Sequence, residues 1–423
     1  MATATANMIS EQTYVSPTRQ RVIGLVFLGF AAAIWVLFGR ETEPGLITTF
    51  GLAVGAQAAS VDPLTLPSLA TINILALASA FVGAGQLARG FGRRTNWMLA
   101  LVTGFFIFSF LTWAAADKSL NLVGLLNTSL SRAVPITLGA MSGILCERAG
   151  VVNIAIEGMM LFGAMSGTLV ASVTDSLWLG VLAAVLTGLL LAWVHAVFSI
   201  KYMVDQIVSG TVINIFSVGM TSYISAKFLQ RYQELNSPGT FRAFPIPVLG
   251  DIPIVGPILF NNNMFVYAMF FFLFLLHFAL YYTRWGLRLR SVGEHPRAAD
   301  TLGINVFRTR YMAVMLGGMM AGFGGAFFSL GSVGRFDEVM TAGRGFIGLA
   351  AMIFGNWNPF GAFGAGLLFG FADSLQSRLA ILGIPIPSQF LLMVPYIATM
   401  VVLAGVVGRG EMPAADGQPY VKE

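Results

Sequence analysis

A chain of 423 residues that is 56% apolar and only 10% charged, with 48 glycines and 35 phenylalanines, lacks the polar surface of a water-facing globule, since soluble domains carry about 25% charged residues. The bilayer is its solvent, and the fold class is an all-α, polytopic membrane protein. The net charge of +5 sits largely in loop arginines and reads as membrane topology rather than nucleic-acid binding, and the lone cysteine, Cys146, excludes an internal disulfide.

In chain order, a polar tail of 21 residues precedes a first apolar run from Val22 to Phe38. Arg40, Glu41 and Glu43 follow it in place of a small-residue cleavage site, so it is read as a retained span and not a signal peptide. Twelve candidate spans follow from the need for roughly 20 apolar residues per crossing. They lie near 22–38, 66–88, 97–115, 123–146, 152–174, 177–200, 206–226, 263–283, 311–331, 345–357, 361–380 and 388–407. Two broken or re-entrant segments would lower the number of crossings to ten.

Orientation is set by the loop 284–310, where Arg284, Arg288, Arg290, Arg297, Arg308 and Arg310 face only Glu294 and Asp300. Cytoplasmic loops collect Arg and Lys, which places this loop and both termini in the cytoplasm. The same alternation puts Asp117, Asp175 and the Pro-containing segment 227–263 outside. Glycines four apart, Gly318 with Gly322 and Gly366 with Gly370, read as close helix contacts.

Ionisable and amide groups at membrane depth need a partner or a wet cavity. The run from Glu147 to Gly158 interrupts two apolar stretches and predicts a broken helix. Glu147 and Arg148 read as a helix end at the interface. Asn153 and Glu157, four apart, would share a helical face and line a path, the other reading being that Glu157 bonds a neighbouring helix. A second interruption, Arg344–Phe346 followed by a short apolar run and Asn356-Trp-Asn358-Pro, adds Asn356 and Asn358 to the path candidates. Paired interruptions in the two halves of a transporter point to a midplane path. Asp373 and Arg378 lie within pairing reach on one helix. His195 and His277 read as core or interface residues, because no metal-ligand spacing surrounds them. No Walker sequence exists, since none of the four lysines follows a glycine, and hydrolase signatures are absent as well, so the chain is not read as an enzyme.

The loop sequence Gly286-Leu-Arg-Leu-Arg-Ser-Val-Gly-Glu-His-Pro-Arg-Ala-Ala-Asp-Thr-Leu-Gly-Ile-Asn305 resembles the coupling segment of ATP-binding-cassette permeases in the branched-chain amino acid, ribose and nucleoside group, with His295 in place of an Asn. Residues Glu147 to Met160 and Gly355 to Ala362 are similar to further stretches of the nucleoside and simple-sugar permeases. The likeness covers roughly residues 120–408.

The resemblance divides the chain into a tail 1–21, divergent N-terminal spans 22–118, a permease core 119–408 and a tail 409–423. It implies ATPase coupling through Gly293, Glu294, Pro296, Ala298, Ala299, Gly303 and Ile304, with a short helix from Pro296 to Leu302 as the rigid docking element. It further implies residence in a bacterial cytoplasmic membrane, a second related permease subunit, cytoplasmic ATP-binding subunits that hold the ATP and Mg, and an extracytoplasmic solute-binding protein. The chain itself is expected to hold no cofactor or metal. The competing reading is an ion-gradient-driven transporter or channel with Glu157 and Asp373 as proton or sodium sites.

Overall fold

The computed structural model describes residues 17–54, 61–383, 390, 393 and 412–422. The fold is helical, and nine helices among those residues are long and apolar enough to cross a bilayer. The chain divides into two compact units, residues 1–122 with 379–385, and residues 123–378 with 386–423.

In the first unit, α1 (Pro17–Ala33), continued by a π-turn to Gly39, runs beside α2 (Ser68–Ala88) and α3 (Thr95–Ala114). Its core is aromatic: the Phe38 ring lies 5.4 to 5.7 Å from the rings of Phe106, Phe110 and Trp113. Residues from Ile47 onward form a strand, because Ile47, Thr48 and Thr49 are β-branched and pack well on a pleated surface. This strand, β1 (Ile47–Gly51), is the centre of a small sheet with β2 (Leu64–Pro67) antiparallel and β3 (Ser119–Asn121) parallel to it. The buried Thr48 hydroxyl donates to the Thr112 carbonyl at 2.8 Å and meets Ser68 Oγ at 2.8 Å.

The second unit holds α4 (Leu122–Glu147), α5 (Ile156–Thr174), α6 (Leu177–Ala196), α7 (Gln206–Ile224), α8 (Met264–Tyr282), α9 (Arg284–Glu294), α10 (Pro296–Thr301), α11 (Val306–Ala326), α12 (Arg344–Phe354) and α13 (Pro359–Ile381). π-turns extend α6, α7 and α11. Helix α4 is buried along nearly its whole length, and α5 and α11 along most of theirs. Helices α6, α7 and α8 bury one stripe and expose apolar residues elsewhere, as lipid-facing helices do.

The first nine expected spans each coincide with one of the nine long helices. The tenth, 345–357, is the eleven-residue α12, too short to cross at about 1.5 Å per residue. The eleventh is α13, which is long enough but carries Asp373, Gln376 and Arg378 and is not among the nine. The twelfth, 388–407, lies outside the described residues apart from Phe390 and Met393. The fifth starts later than expected, because residues 148–155 are not helical and Gly150 takes φ +80°. Asn153 and Glu157 therefore do not share a helical face.

Small residues set the closest helix crossing. A Cβ on Gly188 of α6 would run into the Gly318 carbonyl of α11, and one on Gly322 into the Ala184 carbonyl. Backbones touch there, the arrangement that lets membrane helices gain dispersion contacts without a hydrophobic drive. Gly366 and Gly370 of α13 meet α4 at Thr137 and Ser129. Gly188→Leu is expected to lose about 1 to 3 kcal/mol through overpacking, read as a lower melting temperature and folded yield in detergent, whereas Gly219→Leu, with nothing within 4 Å of its Cβ, is expected to melt like the parent.

Candidate functional site

Two polar assemblies in the second unit bring together most of the residues singled out by sequence. The first lies within the membrane-spanning helices, where α5 and α12 both begin after non-helical segments. Glu157, in the first turn of α5, is buried. Its Oε1 accepts from Thr341 Oγ1 at 2.6 Å and the Gly343 amide at 2.8 Å, and its Oε2 accepts from the Gly345 amide at 2.6 Å. The carboxylate thus occupies the N-terminus of α12, where unpaired amides and the helix dipole favour negative charge. The reading that Glu157 bonds a neighbouring helix is the one the geometry matches.

Arg344, the first residue of α12, donates to Asp373 of α13 at 3.0 Å, and Arg132 of α4 pairs with the other Asp373 oxygen at 2.8 Å. Arg132 also donates to the Asp373 carbonyl at 2.7 Å and to Ser377 Oγ at 2.9 Å. Asp373 therefore pairs across helices and not with Arg378. Arg132 lies ten residues from the Leu122 end of α4, and Asp373 eight residues from the Ile381 end of α13, depths of about 15 and 12 Å. The signal that joins them is opposite charge at matching depth on separate apolar helices, which leaves each ion only the other as partner.

The second assembly surrounds α9 and α10. Thr283 caps α9, its hydroxyl accepting from the Gly286 amide at 3.2 Å, and Asn305 caps α11, accepting from Arg308 at 2.9 Å. His295 replaces the Asn of the resembling motif and still serves as a cap, Nδ1 accepting from the Ala298 amide at 3.2 Å ahead of Pro296, the first residue of α10. Ala299 is buried with Val292, Val306 and Tyr420, and Ile304 packs against them. Gly303 turns the chain with φ +78° and open space around it, next to Leu302, which is 81% exposed. Gly293 touches the turn after α4: a Cβ there would strike the Arg148 carbonyl.

The C-terminal residues close this assembly. Gly293 accepts from the Ala415 amide at 2.9 Å, Glu294 from the Ala414 amide at 3.2 Å, and Lys422 pairs with Asp300 at 3.5 Å. Arg310, buried in α11 rather than free in the loop, donates to the Gln418 carbonyl at 2.8 Å. Glu147 accepts from the Trp357 indole at 2.6 Å, and Arg148 donates to the carbonyls of Trp357 and Asn356 at 3.2 and 3.3 Å. These bonds hold two successive residues, Asn356 and Trp357, at positive φ, a conformation that costs about 1 to 2 kcal/mol per non-glycine residue.

The four path candidates are not brought to one surface. Asn153 is buried, capping its own turn through Oδ1 to the Ala155 amide at 3.0 Å. Asn358 caps α13 through the Phe360 amide at 2.9 Å, and Asn356 is exposed in the turn before it. Glu157 and Asn356 sit at opposite ends of α12, about 16 Å apart at 1.5 Å per residue. His195 is buried, bonded to Val152 and Ser209 at 3.0 Å each, and no cluster of metal-ligating side chains occurs among the described residues.

The profile of the family described as branched-chain amino acid transport system / permease component matches residues 125–406. The chain belongs to this permease family. It is 41% identical over 303 residues to a guanosine ABC transporter permease of Bacillus subtilis, covering 70% of this chain and 95% of the relative. A nucleoside ABC transporter permease of Lactococcus lactis is 40% identical, covering 69% and 94%. A putative glucose ABC transporter permease of Haloferax volcanii is 33% identical, covering 71% and 98%. No solved structure matches the chain. The protein is thus a multi-pass membrane transport component and not an enzyme, and a permease of this class works with ATP-hydrolysing and solute-binding partners.

Two outcomes test this geometry. Glu157→Ala leaves three donors at the head of α12 without an acceptor, each worth about 1 to 3 kcal/mol when buried, so its melting temperature should fall further than that of Glu157→Gln, which keeps one acceptor oxygen. Burial lifts the Asp416 carboxyl from 3.8 to about 7, against the lowering influence of Glu147 and Arg310 beside it. Because its proton is held more tightly in the docked tail than in a free one, docking is strongest below 3.8 and weakens as pH rises toward about 7. Protection of the tail from protease should therefore be greater at pH 6 than at pH 8, and Asp416→Asn should shrink the difference.

Proposed function

We propose that the chain is the permease of an ATP-driven importer for a nucleoside. The observation that carries this is the 40 to 41% identity, along nearly the full length of each relative, to permeases named for guanosine and for nucleosides, against 33% to one named for glucose. The path then needs weak, directional hydrogen bonding to a neutral polar solute. Glu157 borders that path by fixing the head of α12. Asn356 and Asn358 sit at the other end of α12, and Asn153 shapes the turn that precedes α5.

ATP and Mg reside on two cytoplasmic subunits, which press on α9 and α10 from below. Exposed Leu302, Arg297 and Glu294 offer the contact surface. The push has two ways inward. One is through Asn305 into α11. The other is through the Gly293 contact with Arg148 into residues 148–155, whose far end carries Glu157 and so moves α12. A second related permease subunit completes the pore, and an extracytoplasmic solute-binding protein delivers the nucleoside. Both termini lie in the cytoplasm.

Uptake of radiolabelled adenosine, guanosine, uridine and ribose into cells with and without this chain, repeated after ATP depletion, decides the class. Nucleoside uptake that requires both chain and ATP is expected; uptake abolished by an uncoupler alone, at normal ATP, would replace the proposal with an ion-gradient carrier. Gly293→Val is expected to reduce uptake at least ten-fold while the solute-binding protein keeps its affinity, and undiminished uptake would reject the route through Arg148.

A further inference from the structure

Asp373, Arg132 and Arg344 are each about a quarter exposed, with side-chain values of 26%, 29% and 25%, although Arg132 lies ten residues inside α4, a helix long and apolar enough to cross a bilayer, and Asp373 and Arg344 are joined to it by ion pairs. A charged group there cannot face hydrocarbon without a large cost, so the exposed quarter faces water or solute. Among the described residues their hydrogen-bonding capacity is also only partly used. A carboxylate accepts at about four positions and a guanidinium offers five donors. Asp373 receives one bond on each oxygen from the arginines, and Arg344 spends its other contact on the Thr341 carbonyl at 3.5 Å. Spare acceptors and spare donors therefore lie side by side, with the Phe328 ring 5.9 Å from the Arg344 guanidinium.

With Glu157 at the same helix end, the formal charges of Arg132, Arg344, Asp373 and Glu157 sum to zero. A balanced cluster of this kind offers no net attraction to an ion of either sign. It suits a neutral group that donates and accepts at two adjacent points, which is the chemistry of a vicinal diol.

We propose that the Asp373–Arg344 pair, held by Arg132, is a solute station in the path that hydrogen-bonds the cis-diol of a ribose. The station rests on the nucleoside reading above and adds to it the part of the solute that the permease itself recognises. The diol hydroxyls donate to the spare lone pairs of Asp373 and accept from the spare guanidinium hydrogens of Arg344. The bonds are water-exchangeable and no covalent step occurs, so the solute is released once the helices shift.

The test is uptake by the complete transporter of a ribonucleoside and its 2′,3′-dideoxy counterpart, with the parent chain, Asp373→Asn and Arg344→Lys, each checked for elution and melting in detergent. The solute-binding partner is identical throughout, so any change in the ratio of the two rates belongs to the permease. The ribo-to-dideoxy ratio is expected to fall about ten-fold in Asp373→Asn, the loss expected when a hydrogen bond to a charged group is removed, and also to fall in Arg344→Lys, which keeps the charge but removes the fork. If Asp373→Asn misfolds, Arg344→Lys decides alone. An unchanged ratio in a folded variant overturns the station and makes the cluster a structural clamp. Failure of the parent chain to carry any nucleoside would instead overturn the function proposed above, so the two failures are distinguishable.

Discussion

The start of α12 is the constraint on which the interior of the second unit depends. A helix that begins inside a bilayer exposes its first amides where no water replaces the missing acceptors, at a cost of several kcal/mol for each group left open. The Glu157 carboxylate meets two of those amides and the Thr341 hydroxyl. A carboxylate in the same place without those donors would be an uncompensated ion. Each group makes the other tolerable, so α5 and α12 can be broken only as a pair. The break in one half of the core is thus bonded directly to the break in the other, which is the geometry a midplane path between repeats requires.

In the proposed mechanism that bond also serves α9 and α10 as a lever. Residues 148–155 run from the Gly293 contact to the base of α5, and Glu157 ties the base of α5 to α12. The lower end of α12 is held separately, by Glu147 and Arg148 on the turn at Trp357. Helix α12 is therefore gripped at both ends by the same interrupted stretch of chain. Displacing that stretch moves a short, rigid helix as a body, and rigid displacement of a packed element is how small shifts become discrete changes of state. The C-terminal tail bonds to Gly293, Glu294 and Arg310, which ties α9 to α11.

Much of this was legible in the sequence for simple reasons. Apolar runs of spanning length gave nine helices, because a bilayer leaves few alternatives to a helix. The short helix expected from Pro296 is α10, and the polar run from Glu147 to Gly158 marked a break after α4. What sequence could not supply was pairing. Asn153 and Glu157 are four apart, but the turn at Gly150 removes the helix that would have aligned them. Asp373 and Arg378 are near in sequence, yet Asp373 is taken by Arg132 and Arg344 from other helices. Arg310 looked like one more loop cation and is instead buried under the tail. The first miss is a local break in the helix, and the other two are long-range contacts that local periodicity does not encode.

The same contacts weigh against an ion-gradient mechanism built on the two membrane carboxylates. A proton or sodium site needs a carboxylate that can exchange its partner for the ion and back. Glu157 is committed to three donors that hold a helix in place, and releasing them would free the head of α12. Asp373 lies between two guanidinium groups, so a cation approaching it meets two like charges first. A neutral solute meets neither penalty. The charges hold the helices together, which agrees with the proposal that the driving force enters elsewhere, through α9 and α10.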